Sequence, residues 1–291
     1  QEMVTRISQR ITLKKILSKG DLFRMSLMPG YIGYTTAEFA PVYRAAKTGG
    51  VEQDAKTIMG LIRDRQPIAR KEVVSNSPFS EERTLELISE PFKASLICQD
   101  QDAFYYIVPP SGMSKEEAMR TIIKRHFKDF GTFSAEELAQ FLSVRMSTVR
   151  RALSDLEKEG YLVKGFLVKD DPTPRWMLKE DTGTEPDPFG ELLLLNTQDN
   201  LHLYLRDMIK RECGATECVV FEGTKIIGCF SGKISSSGAK VENFKGSEKA
   251  YKFMKETAKS LGVKIDETKH SEEEDWDVSE FYLKTNPGAI L

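Results

Sequence analysis

Three arginines and three hydroxyl side chains crowd one short stretch of this chain: Arg145, Ser147, Thr148, Arg150, Arg151 and Ser154. Helical periodicity from Ser147 to Glu159 turns Val149, Ala152, Leu153 and Leu156 to one side, and Ser147, Thr148, Arg150, Arg151 and Ser154 to the other. Arg145 sits in the turn just ahead. Guanidinium forks and hydroxyls on the N-terminal half of a helix have the reach and the donors for phosphates and base edges. The helix N-terminus adds its unpaired N–H groups and positive dipole end. Asp155, Glu157 and Glu159 fall in the C-terminal half, away from that surface. Beyond the helix, Lys164, Lys169 and Arg175 are placed to straddle an adjacent phosphate strand. The chemistry these residues offer is the gripping of double-stranded DNA. The competing reading is a solvated charged face on a protein–protein module.

No complete reaction centre is legible beside them. His126, His202 and His270 are scattered, and no Ser/His/Asp or Cys/His set can be drawn from their spacing. Cys98, Cys213, Cys218 and Cys229 form neither a disulfide framework nor a zinc knuckle, so no metal is expected. There is no G-x-x-x-x-G-K-[ST] loop for a nucleotide. No cofactor is called for. Gln99-Asp100-Gln101-Asp102 holds amide and acid side chains close together, but its place between two short strands makes it a hairpin turn first.

The elements that must position the basic helix are well marked. Glu116 to Phe127 carries a helical apolar stripe, and Gly131 breaks it. Ser134-Ala-Glu-Glu137 is a capping box that opens a helix through Leu142. Ser147 is expected to cap the third helix and Gly160 to stop it. Tyr161 to Val168 and Trp176 to Leu178 read as hairpin strands around Asp170-Asp171-Pro172-Thr173-Pro174. Three helices and a hairpin make a winged helix. A second copy lies about 65 residues upstream, with helices at Asp54–Asp64, Ile68–Val74 and from Ser80, then strands at Ala94–Cys98 and Phe104–Val108. There Glu81, Glu82 and Glu86 crowd the third helix and favour a structural role. A partial first copy has a helix at Thr12–Leu17, strand-like pieces at Leu22–Met28 and Tyr31–Tyr34, and a helix at Ala37–Ala46. After a linker at 182–188 the texture changes to short strands around helices at Leu201–Glu212 and Glu248–Leu261. The expected fold class is α+β: tandem winged helix-turn-helix modules followed by a small antiparallel β-rich domain. The expected boundaries are 1–50, 51–112, 113–182 and 183–291.

With 291 residues the chain can build more than one core. Its net charge of −2 hides an asymmetry, since residues 266–291 hold eight acids and two lysines and the rest stands at +4. A flexible acidic tail of that kind would compete with phosphate for the body, although Phe281, Tyr282 and Leu283 could dock as a strand. No apolar run is long enough to cross a bilayer and no secretory signal is visible, so a cytoplasmic protein is expected. The chain begins at Gln1 rather than Met, which points to residues ahead of it.

The order of parts resembles the AlkZ/YcaQ-type winged-helix DNA glycosylase family over nearly the whole chain. Leu22-Phe-Arg-Met-Ser-Leu-Met-Pro-Gly30 and Thr36-Ala-Glu-Phe-Ala40 are similar to the family's Leu-Val-Arg…Met-Arg-Gly-Thr-Leu-His segment and the helix after it. Phe130-Gly-Thr-Phe-Ser-Ala-Glu-Glu-Leu138 resembles its Tyr-Gly-Pro-x-Thr…Leu helix start. Leu192-Leu-Leu-Leu-Asn-Thr-Gln-Asp199 sits where the family has Leu-Leu-Pro-x-Phe-Asp, and Glu222-Gly-Thr-Lys-Ile-Ile-Gly228 resembles its Asp-Gly-x-x-Val-Gly strand pair. Related winged-helix modules also end the Lhr-type helicases. The resemblance implies excision of alkylated or crosslinked bases from double-stranded DNA, without a cofactor. It also implies a Gln-x-Gln or Gln-x-Asp motif upstream of Gln1. Pro29, Tyr31 and Gly33 stand where the family has Arg, Thr and His, which leaves the catalytic motif degenerate or incomplete and makes a non-catalytic regulator or scaffold the alternative.

Overall fold

The computed structural model describes residues 22–28, 31–47, 49–100, 102–166, 172–184, 190–197, 199–235, 238–260 and 265–268. The helix expected at Thr12–Leu17, Pro29, Gln101, Lys169, His270 and the acids beyond Thr268 lie outside those residues. The described residues fall into two compact units, one up to residue 184 and one from residue 190. Both mix helices with sheet, so the architecture is α+β.

The first unit repeats one order of elements. Helix α1 (Ala40–Ala46) follows the hairpin β1 (Leu22–Met28) and β2 (Tyr31–Thr36). Helices α2 (Gln53–Arg65), α3 (Arg70–Asn76) and α4 (Glu81–Lys93) then lead into the hairpin β3 (Ile97–Gln99) and β4 (Tyr105–Ile107). Helices α5 (Lys115–Phe130), α6 (Ala135–Leu142) and α7 (Met146–Lys158) lead into the hairpin β5 (Leu162–Gly165) and β6 (Arg175–Leu178). In each set one residue after the first helix joins the hairpin as a single bridge, Ile68 to Tyr105 and Phe133 to Trp176. Ile68, expected to start a helix, is instead extended, and α3 begins two residues later at Arg70.

The hairpins β1–β2 and β3–β4 share one sheet, in the order β2-β1-β3-β4, through the pairing of Arg24 with Gln99. Lys47, just past α1, clamps that junction. Its Nζ donates to the Ser26 carbonyl at 2.9 Å, to Ser26 Oγ at 2.7 Å and to the Lys93 carbonyl at 2.9 Å. Burial lowers its pKa from 10.5 to about 8. Between those values the unfolded chain binds more protons than the folded one, so this residue makes stability rise with pH from about 8 to 10.5. Lys47→Met should lower stability at every pH, because it removes three hydrogen bonds that tie β1 to the end of α4, and should flatten that rise. Urea midpoints compared across this window check it. A constant gap between the two proteins would show that Lys47 titrates normally.

In the second unit, β7 (Leu192–Asn196), β8 (Cys218–Glu222), β9 (Lys225–Ser235), β10 (Gly238–Gly246) and β11 (Ile265–Thr268) form a sheet in the order β11-β10-β9-β8-β7. Four strands are antiparallel neighbours, but β11 lies parallel to β10. A parallel pairing needs a long crossover, and α10 (Glu248–Ser260) supplies it. Asp266 and Glu267 are therefore strand residues, and the acidic stretch does not start as a loose tail. Alternate side chains enter two cores. Val220, Phe230 and Phe244 pack on Ala250, Met254 and Ala258 of α10. Val219, Phe221 and Cys229 pack toward Leu201 of α8 (Asn200–Tyr204) and Ile209 of α9 (Arg206–Cys213). Among the described residues no helix is long and apolar enough to cross a membrane.

Candidate nucleic-acid interface

Helix α7 is held by its apolar stripe, with Val149, Ala152, Leu153 and Leu156 all buried as their spacing requires. Helix α6 starts on a complete capping box: Ser134 Oγ accepts the Glu137 N–H at 3.1 Å, and Glu137 Oε2 accepts the Ser134 N–H at 2.8 Å. It ends on Ser143 in the left-handed region, φ 53°, which turns the chain sharply into α7. The cap of α7 is Arg145 rather than Ser147, and no side chain closes it. Ser147 instead lies in the first turn.

This places Arg145, Ser147, Arg150, Arg151 and Ser154 exposed, with Thr148 half-buried beside them. The first turn of α7 carries no acid. Two acids of its C-terminal half, Glu157 and Glu159, stay at the surface but are engaged by neighbours. Glu157 accepts Trp176 Nε1 at 3.1 Å, and Glu159 pairs with Arg120 at 2.6 Å and Lys124 at 3.3 Å. The basic side chains thus stand at the start of the helix, and Glu157 and Glu159 toward its end bond Trp176, Arg120 and Lys124. Arg150 meets Glu136 at 3.1 Å, but both side chains are 60% exposed or more, so that pair holds the guanidinium only weakly. Lys164 is exposed and lies 4.9 Å from the centre of the Trp176 ring.

Arg175 leaves the set. Its guanidinium makes two bonds of 2.6 Å to Glu137, and its side chain is only 17% exposed. It closes the hairpin onto the start of α6, a structural task that sequence spacing did not reveal because the partner lies 38 residues away. Sequence reading also missed Phe166, which stays 74% exposed just past the end of β5. The expected strand runs to Val168, whereas β5 stops at Gly165.

The other candidate chemistry resolves into structure. Asp100 Oδ1 accepts the N–H groups of Asp102 and Phe104, both at 2.9 Å, and Oδ2 accepts the Tyr106 hydroxyl at 2.9 Å. Gln99 accepts Arg24 at 2.8 Å. These side chains build the β3–β4 turn. His126 is buried, with Nδ1 2.8 Å from the Ile122 carbonyl and its ring among Phe130 and Phe141. On α4, Arg83 is engaged by Glu52 and Glu86, and Asp54 stands close by. The four cysteines are free thiols, and among the described residues no cluster of three or more His, Cys, Asp or Glu could hold a metal.

A family model for DNA glycosylase AlkZ-like proteins matches residues 34–209. The structure is similar to that of the Streptomyces sahachiroi DNA glycosylase AlkZ, with a TM-score of 0.60 and 17% sequence identity over 88% of this chain and 85% of that one. No curated protein matches the sequence.

Proposed function

This chain belongs to the AlkZ-like DNA glycosylase family, and on that footing we propose that it binds double-stranded DNA in the repair of alkylated or crosslinked bases. The two helix–bridge–helix–helix–hairpin sets read as winged helices over 51–112 and 113–182, with 1–50 as a partial first copy and 183–291 as the separate β-rich domain. DNA lies against α7 and the hairpin after it, contacted by Arg145, Ser147, Thr148, Arg150, Arg151, Ser154 and Lys164, and by Lys169, which lies outside the described residues. The observation that carries this reading is the first half of α7, which exposes Arg145, Arg150 and Arg151 with no acid in its first turn, while Glu157 and Glu159 toward its end are engaged by Trp176, Arg120 and Lys124. No small-molecule cofactor enters the reading, which places the protein with its DNA in the cytoplasm.

One observation favours binding without excision. Gly33 pairs with Met25 in the β1–β2 hairpin, so the position where the family resemblance expects a histidine offers no side chain. A non-catalytic regulator or scaffold is the second reading, and it uses the same DNA face.

Arg150→Ala combined with Arg151→Ala should weaken duplex binding. It should also make the slope of log K against log[salt] shallower by about two, as two phosphate contacts are lost. Fluorescence anisotropy of a labelled duplex over a salt series measures both. An isotherm and slope equal to those of the unaltered protein would remove α7 from the interface.

A further inference from the structure

Phe166 is the most exposed of the large hydrophobic side chains among the described residues, at 74% against 49% for Ile32 and 42% for Met113. A phenyl ring left in water forgoes the burial that aromatic residues usually find. Its chain neighbours tie that end of the hairpin to the helices. Gly165, its neighbour, pairs with Arg175 in the hairpin. Arg175 grips Glu137. The adjacent Glu136 meets Arg150 of α7. Phe166 therefore leaves the hairpin at the end that Arg175 ties to the first turn of α6, with Lys164 two residues before it. The neighbouring cations argue for a polyanionic occupant, and the ring argues for one with apolar planes inside it. Duplex DNA has both: phosphates outside and stacked bases within.

We propose that Phe166 is a wedge that inserts between adjacent base pairs of the duplex held by α7, a role that rests on the DNA-binding reading above. Cations beside the ring anchor the backbone, and the ring partly unstacks one step, as apolar wedges of bending proteins do. A wedge of this kind concentrates on steps already weakened by damage, where unstacking costs least. It would make Phe166 a determinant of which duplexes the protein retains.

The test uses the whole chain and a duplex with 2-aminopurine at a central step, whose fluorescence rises when the base unstacks. Binding of the unaltered protein should raise that fluorescence several-fold. Phe166→Ala should abolish the rise, cost about tenfold in affinity and leave the salt slope unchanged, since no phosphate contact is lost. Phe166→Trp should restore the rise. Arg150→Ala with Arg151→Ala should do the converse, flattening the slope while the rise persists at saturation. A duplex bound with a normal slope but without a fluorescence change, or a full rise with Phe166→Ala, overturns the wedge and leaves the DNA face standing. A loss of self-association in Phe166→Ala with unaltered fluorescence would assign the ring to a second copy instead. If the unaltered protein binds no duplex, the DNA-binding reading fails and the wedge with it.

Discussion

Glu137→Ala is expected to destabilise the first unit by about 2–4 kcal/mol, between the value of an exposed ion pair and that of a buried one. One carboxylate does three things here. It accepts the Ser134 N–H, completing the cap of α6, and it takes both arms of Arg175. Its loss opens the cap and takes two charge-assisted bonds from a guanidinium whose side chain is 17% exposed. Glu136→Ala, one residue earlier, removes an exposed pair and should change stability by less than about 1 kcal/mol. Thermal or urea unfolding of the two variants gives the contrast directly. Adding Arg175→Met to Glu137→Ala should recover part of the loss, because a largely buried charge that has lost its carboxylate is gone. Equal stability of the Glu136 and Glu137 variants would mean that the hairpin is held by its strand pairing alone. The functional consequence follows from the same geometry: with the hairpin unpinned, duplex binding should fall even though Arg150 and Arg151 remain.

Local signals were the legible ones. The capping box at Ser134, the stripe of α7 and the Gly131 and Gly160 stops each involve residues within a few positions, and all are where the spacing puts them. The Gln99–Asp102 turn was readable for the same reason, since Asp100 bonds its own neighbours. What the sequence concealed depends on distant partners. Arg175 looks like a free wing cation until the Phe133–Trp176 bridge brings Glu137 beside it. Ile68 carries helical spacing, yet its backbone exchanges hydrogen bonds with Tyr105, 37 residues on. Ser147 has the chemistry of a cap, but the left-handed turn at Ser143 starts α7 at Met146, before that serine. The exposure of Arg150, Arg151 and Ser154 was legible because it depends only on which side of one helix is apolar. The parallel edge strand β11 had no local mark, because its pairing follows from where α10 delivers the chain.

Gly246→Ala should be the most damaging single change in the second unit, costing more than about 4 kcal/mol and unfolding the sheet around it. Strands β9 and β10 approach most closely where Gly228 faces Gly246. A Cβ on Gly246 would sit 2.5 Å from the Ile227 carbonyl oxygen and closer still to Gly228 Cα. Both are backbone atoms, so no side chain can swing aside. The φ of +145° adds a strain that only glycine escapes. Relief requires the strands to part, and the next residues make that costly. The Ser247 N–H bonds the Ile227 carbonyl at 2.9 Å at the entrance to α10. That helix covers one face of the sheet and delivers β11 to its edge. Gly228→Ala should act in the same direction but less severely, since its Cβ would meet Ala250 Cβ at 2.7 Å and α10 can shift outward. Gly190→Ala is the control, because a Cβ there meets nothing within 4 Å. Limited proteolysis read by mass spectrometry should show cleavage spreading through 192–260 in the Gly246 variant, with 53–158 still protected. Unchanged protection of β9 and β10 would mean that the two strands can separate at this point without losing the sheet.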